Sequence, residues 1–290
     1  PKAVLSRNGR ILLLISHQGQ DFLLQWHPKE ASARGNVYTG LWYSADEPDQ
    51  SGLSRCRDYA QSLSEACGVN IRIWKDAAAV SPWDYAFTPE HRCPVLHSQL
   101  QLLERCLSRY PEEILSQTAA HFDSFQISLV QRITGTAGES SLAAATGIQF
   151  LSNNDSHVVL ATGPYLEQAL YHELFHAMET HIFSHSNAFD RWNELNPAGF
   201  AYDLDHAANS RRNSGVYLEG SHRAFVDTYS MSFPKEDRAR IFEYAMLPDM
   251  EHLFRSQTMQ NKLSAISTGI REAYGLKHTE HPLPWEQYLQ

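Results

Sequence analysis

What the sequence lacks limits its function before any motif is read. No stretch approaches ~18 consecutive apolar residues, so no membrane-spanning helix is expected. The longest apolar run near the start, Ile11 to Ile15, is too short and carries no signal-peptide cleavage pattern. No basic run occurs, and Lys+Arg total 24 against 33 Asp+Glu, a formal net charge of −9. General nucleic-acid binding needs a positive footprint, so it is not an expected role. Cysteine is scarce, and no CxxC pair exists among Cys56, Cys67, Cys93 and Cys106, which argues against a cysteine zinc site. Internal repeats and low-complexity tracts are missing too. What remains is a 290-residue chain of ordinary globular composition, 42% hydrophobic and 20% charged. That is enough for one large domain or two small ones. The chain opens at Pro1 rather than Met, so a trimmed or processed product, its targeting segment removed, is expected. One residue type is abundant: 15 histidines, the commonest metal ligand and a proton carrier near neutrality.

The first fifty residues read as β. Ile11–Ile15 and Phe22–Trp26 flank His17-Gln18-Gly19-Gln20 as a hairpin, and Val37–Tyr43 is a third candidate strand. Asp46–Gly52, with Pro48 and Gly52, is a boundary, giving an N-terminal β-rich segment (1–50) and a main domain (51–290). Leu53, Cys56, Ala60, Leu63 and Cys67 then repeat at helical spacing, closed by Gly68. Cys56 and Cys67 thus lie roughly 16 Å apart at ~1.5 Å per residue, beyond the ~4.4–6.8 Å between Cα atoms that a disulfide spans. Bridges from this helix to Cys93 and Cys106 stay open, as does a set of four reduced core thiols.

Mixed α and β follow. Val69–Trp74 and Phe125–Ile133 read as strands, and Leu96, Leu100, Leu103 and Leu107 mark a helix. Ile148–Leu151 and Val158–Ala161 form a hairpin around Ser152-Asn153-Asn154-Asp155. Thr162-Gly163-Pro164 opens a long helix over about 164–183, with Pro in its first turn. Further helices are expected over about 236–247 and over Met259–Ala273. The stripe of Met259, Leu263, Ile266, Ile270 and Ala273 belongs in a core.

The long helix contains His172-Glu173-Leu174-Phe175-His176, an HExxH motif. Residues four apart face the same way, so both imidazoles can hold one Zn²⁺ while the Glu takes a proton from water. At this histidine content roughly 0.04 such matches arise by chance, and the flanking Leu166, Leu170, Leu174 and Met178 make the helix a buried one. A zinc hydrolase needs a third protein ligand and an open position. The elongated HExxHxxGxxH form is ruled out by Glu179 and Ile182. His181 and His185 follow closely but also suit a helix C-terminus. Glu194, in Trp192-Asn193-Glu194, and Glu236 are the other candidates. Asp237 and Glu179 are candidate acceptors behind the imidazoles, and Trp192, Asn196, Pro197, Phe200 and Tyr202 either line a cleft or pack under a loop.

Phe225-Val226-Asp227-Thr228-Tyr229-Ser230, followed by Lys235-Glu236-Asp237-Arg238-Ala239, resembles the Phe-Val-x-x-Tyr-Ala … Glu-Asp-x-Ala segment of gluzincin peptidases of the anthrax-lethal-factor type. The resemblance spans roughly 120–250, departing at Ser230, where the family has Ala, and at Arg240, where a second acidic residue is common. It implies a two-lobed α+β zincin, with a sheet-and-helix upper lobe and a mainly helical lower lobe. It implies one catalytic Zn²⁺ held by His172, His176 and Glu236, with Glu173 as general base and Tyr229, seven residues before Glu236, as electrophilic helper. The implied activity is endoproteolysis of a peptide or protein, paired to an edge strand such as Val158–Ala161. The implied setting is a bacterial, secreted or cell-envelope enzyme, with a cytoplasmic one left open. Two alternatives stand beside it: a non-catalytic zinc-binding or adhesion protein on the same fold, and a hydrolase using Glu194 as third ligand.

Overall fold

A computed structural model describes residues 3–7, 10–17, 20–26, 43–44, 50–82, 85–135, 144–208, 217–276 and 281–290, with side chains from residue 50 onward except Ala144 and Ala208. The chain divides into two compact units, Pro1–Leu53 and Ser54–Gln290. In the first, β1 (Ala3–Arg7), β2 (Arg10–His17), β3 (Gln20–Trp26) and β4 (Tyr43–Ser44) form an antiparallel sheet in chain order. The expected hairpin is β2 on β3, with Ile11 opposite Trp26. Strand β1 was not foreseen, and of the expected strand Val37–Tyr43 all but Tyr43 lies outside the described residues.

Helix α1 (Gln50–Cys67) carries the expected apolar face, with Leu53, Cys56, Ala60 and Leu63 buried. The four cysteines are not cross-linked, which removes the bridged alternative; the Cys56 thiol donates to the Cys93 carbonyl at 3.5 Å. The second unit then lays down β5 (Asn70–Arg72), α2 (Trp74–Ala77), β6 (Tyr85–Pro89), α3 (Cys93–Leu107), α4 (Glu112–Ala120) and β7 (Ser124–Gly135). On α3, Leu96, Leu100, Leu103 and Leu107 are all buried, each contributing roughly 1.5–3 kcal/mol. The short α4 escaped the pattern because only Ile114, Leu115 and Thr118 of its nine residues face inward.

The long strand β7 organises the sheet. Its first half lies between β5 and β10 (Asp155–Ala161), parallel to both. Its second half pairs antiparallel with β6 and with β8 (Ala144–Ala145). Strand β9 (Gly147–Ser152) returns antiparallel outside β10 through a tight turn, where Asn153 adopts φ +58°, a conformation Asn tolerates better than most residues. The described sheet therefore runs β5-β7-β10-β9, and Val158–Ala161 is interior. This corrects the expected edge: β10 has neighbours on both sides, and β9 is the outer strand.

Helix α5 (Leu166–His185) packs beneath β9 and β10. It begins at Leu166, with Tyr165 as a non-helical cap, so Pro164 lies just outside the first turn rather than in it. Leu170, Tyr171, Leu174, Phe175, Ala177 and Met178 are all buried, which makes α5 the central helix of the unit, apolar nearly all round. Past a short 3-10 turn at Trp192–Leu195 and α6 (Leu204–Ala208), the chain forms α7 (Pro234–Met246) and α8 (Gln257–Ala273). Helix α7 meets α5 through Phe242 stacked on Phe175 at 4.9 Å. Helix α8 buries its whole expected stripe and is capped by Ser256, whose hydroxyl accepts from the Met259 amide at 3.1 Å. Sheet and α5 thus form one lobe, and the helices after it form the other. No helix among the described residues is long and apolar enough to cross a membrane.

Candidate metal centre

Two helices meet where the chemistry collects. His172 and His176 occupy successive turns of α5, and Glu236 stands in the first turn of α7. The Nε2 atoms of the two imidazoles are 3.2 Å apart, and Glu236 Oε2 lies 3.1 Å from the first and 3.4 Å from the second. Three electron-pair donors aimed at one point repel unless a cation or proton lies among them. Tetrahedral zinc, at about 2.0–2.2 Å from N and O ligands, sets its ligand atoms roughly 3.3–3.5 Å apart. The donor set therefore fits zinc in chemistry and in spacing.

A second carboxylate settles which imidazole nitrogen faces inward. Glu243, two turns beyond Glu236 on the same face of α7, places Oε2 3.2 Å from His172 Nδ1. An ionised carboxylate only accepts, so Nδ1 carries a hydrogen toward Glu243, and Nε2 is the atom turned toward Glu236 and His176, where its lone pair would be offered to a bound cation. Burial opposes a charge on His172, but Glu236 and Glu243 outweigh it and push its pKa up to about 10. Burial likewise opposes ionisation of Glu236, yet hydrogen bonds from both histidines hold it well below the usual carboxylate range.

Glu173 brings a carboxylate oxygen within 4.8 Å of both imidazoles, farther out than Glu236. It is buried, which raises its pKa, and the Gln149 backbone amide donates to it. Gly147 at the start of β9 makes room: a Cβ there would lie 2.7 Å from Glu173 Cγ. Tyr229 stands opposite, its ring 6.3 Å from that of His172. Although 45% of the residue is exposed, its hydroxyl end is desolvated beside Glu236 and Glu173, which raises its pKa. A cleft of about 400 Å³ opens here, lined by Thr146, Gly147, Gln168, Glu173, Tyr229 and Arg240, among others.

The structure thus brings His172, Glu173, His176, Tyr229 and Glu236 together, and leaves other candidates elsewhere. Glu194 pairs with Arg191 on the surface, which corrects its reading as a third ligand. Asp237 is sealed from solvent and accepts from Lys262 at 2.7 Å, Tyr202 at 2.7 Å and Trp192 at 3.2 Å. Glu179 pairs with Arg238. Neither supports an imidazole; Glu243 does, and sequence reasoning missed it. The available signal was its spacing, seven residues after Glu236 on one helix face. His181 and His185 turn toward backbone carbonyls at the end of α5, 3.2 Å from Ala273 and 2.9 Å from His181 respectively. The aromatic connection packs under its loop, with Trp192 buried and bonded to Tyr202.

No protein-family model matches the chain, and no curated protein is similar to it in sequence. In structure it is similar to a Bacteroides caccae protein described as a "putative zinc-binding metallo-peptidase", with a TM-score of 0.52 and 13% identity. The likeness covers 83% of this chain and 95% of that one. The two chains share a fold. At this identity the likeness speaks for the two-lobed α+β architecture, in which the HExxH helix runs under the sheet and a helical lobe closes the cleft. Within this fold the donor cluster lies beside the cleft, between α5 and α7.

Proposed function

We propose that the protein is a zinc-dependent endopeptidase of gluzincin type, akin to the lethal-factor-like family. The observation that carries the reading is the convergence of His172 Nε2, His176 Nε2 and Glu236 Oε2 within 3.1–3.4 Å, beside an unshared carboxylate in an open cleft. These three residues would hold the ion, which when bound would supply the Lewis acidity that activates water and polarises a substrate carbonyl. Glu173 takes the proton of the attacking water and hands it to the leaving amine nitrogen. Its raised pKa suits a group that must both accept and release a proton. The Tyr229 hydroxyl donates to the oxygen on which charge develops. Among the described residues β9 is the outer strand, along whose edge an extended peptide can lie. Residues 1–50 are read as a separate β module, and a secreted or cell-envelope setting follows from the same resemblance.

A structural zinc site has no use for a free base, so Glu173 separates turnover from mere binding. Zinc-loaded protein incubated with casein or a peptide library should yield cleaved products. Glu173→Gln should bind zinc equally and lose about 10²–10⁴ in rate. Zinc-loaded wild type that cleaves nothing would instead establish the non-catalytic zinc-binding reading.

A further inference from the structure

The resemblance has an acidic residue where this chain has Arg240, and the structure gives that arginine several partners. Arg240 Nη1 donates to both oxygens of Glu243, at 3.0 and 2.7 Å. Its Nε donates to Asp227 Oδ2 at 2.9 Å, and Nη2 donates to the same oxygen. The guanidinium also lies over the rings of Tyr229, 5.8 Å from its centroid, and Tyr244, at 5.4 Å.

Each partner leads to a different part of the centre. Glu243 is the carboxylate behind His172 Nδ1. Asp227 Oδ1 accepts the Ser230 amide at 2.9 Å, and the Ser230 hydroxyl returns a hydrogen bond to the Asp227 carbonyl. Those two bonds close the turn Asp227-Thr228-Tyr229-Ser230, from which Tyr229 projects. A planar guanidinium presents its donors as a rigid fork, so holding two carboxylates on different elements holds their separation as well.

We propose that Arg240 is a positioning residue that ties the Tyr229 turn to the carboxylate behind His172, setting the histidine's orientation and the tyrosine's placement together. The proposal rests on the zinc-peptidase reading for Tyr229's role, but not for the His172 arm. Glu243 without its arginine is a buried carboxylate short of a counter-charge, free to swing from Nδ1. Asp227 without it keeps only the turn's own bonds, and Tyr229 loses the cation under its ring.

The test measures zinc affinity by chelator competition and kinetics on a cleaved peptide, with circular dichroism to check folding. Arg240→Gln is expected to weaken zinc binding by about 10-fold or more, the range for lost support behind a ligand. It should lower kcat by at least about 10-fold with little change in KM, as a misplaced group does. Arg240→Lys should recover part of the zinc affinity and little of kcat, because an ammonium can neutralise Glu243 but lacks the fork. In a Tyr229→Phe background, Arg240→Gln should cost much less kcat than in wild type, since coupled residues are not additive. Should Arg240→Gln misfold, Asp227→Asn cuts the same link from the tyrosine end and should lower kcat while sparing zinc affinity. Wild-type zinc affinity in folded Arg240→Gln, equal kcat losses in the two backgrounds, or unchanged kcat in Asp227→Asn would each overturn the proposal. If wild type binds zinc but cleaves nothing, the peptidase reading fails, and the zinc arm still decides the link to His172.

Discussion

Glu236 and Asp237 are neighbours in the first turn of α7, and they lead opposite lives. Glu236 lies among two histidines, with Glu173 and Glu243 nearby; Lys235 Nζ stands 3.5 Å from its Oε1, while its Oε2 is left to the two imidazoles. Asp237 faces inward onto Lys262, both fully buried, and its shared oxygen takes three donors. Lys262 is also bonded to the Ala224 carbonyl at 2.8 Å and lies 3.8 Å from the centroid of the Phe225 ring. One cluster is charge-balanced and sealed, as a structural pair must be. The other aims three electron-pair donors at one point beside the cleft, which is tolerable only if a cation or proton completes it. Burial and charge alike would not separate them; the balance of donors and acceptors does.

Breaking the sealed pair should have the largest effect on stability. Asp237→Ala or Lys262→Ala leaves a lone buried charge and should cost about 3–5 kcal/mol, read from denaturant unfolding of the metal-free protein. A joint Asp237→Leu/Lys262→Met variant should cost less than either single change, and a larger loss would mean that the pair itself stabilises the fold. Weakening the open cluster should act on metal instead. Glu243→Gln should reduce zinc affinity by about 10–100-fold, or about 1.4–2.7 kcal/mol, with little change in unfolding once zinc is removed. Gly147→Ala pushes against Glu173 rather than against a ligand. Its kcat should fall by about 10-fold or more with zinc affinity nearly unchanged, as expected of a slightly displaced catalytic group; a parallel fall in both would place Gly147 in the binding of metal.

The smallest effect concerns pH in the metal-free protein. His172 is raised from 6.5 to about 10, so its contribution to stability is complete below pH 6.5 and fades as pH rises through about 10. Glu236 is depressed below its ordinary 4.5, so its contribution is complete above that value and is lost as pH falls below it. Both therefore contribute fully between 4.5 and 6.5. Chemical unfolding below, within and above that window should show the maximum inside it, and Glu236→Gln should blunt the acid limb. An acid limb unchanged by Glu236→Gln would sink the pairing.

Much of the fold was legible because helix and strand periods are local. The α3 leucines, the α8 stripe and the turn at Asn153-Asn154 all declared themselves by spacing. The HExxH pair was legible for the same reason, since four residues on one helix face is a local statement. Tyr229 was reached only through resemblance, and Glu236, one of four candidates for the third ligand, was singled out only through it. The link from Asp227 through Arg240 to Glu243 joins a loop to a helix, and no window of sequence contains its logic. The same limit explains the errors. Asp237 looked like an imidazole acceptor until Lys262, 25 residues on, claimed it. Val158–Ala161 looked like an edge until β7, far back in the chain, took its other side.

The most direct test of the account is the zinc content of Glu236→Ala beside Glu194→Ala and wild type, each purified folded and equilibrated with the metal. The account predicts one zinc per chain in wild type and in Glu194→Ala, and loss of tightly bound zinc in Glu236→Ala. Full zinc retention by folded Glu236→Ala would contradict it.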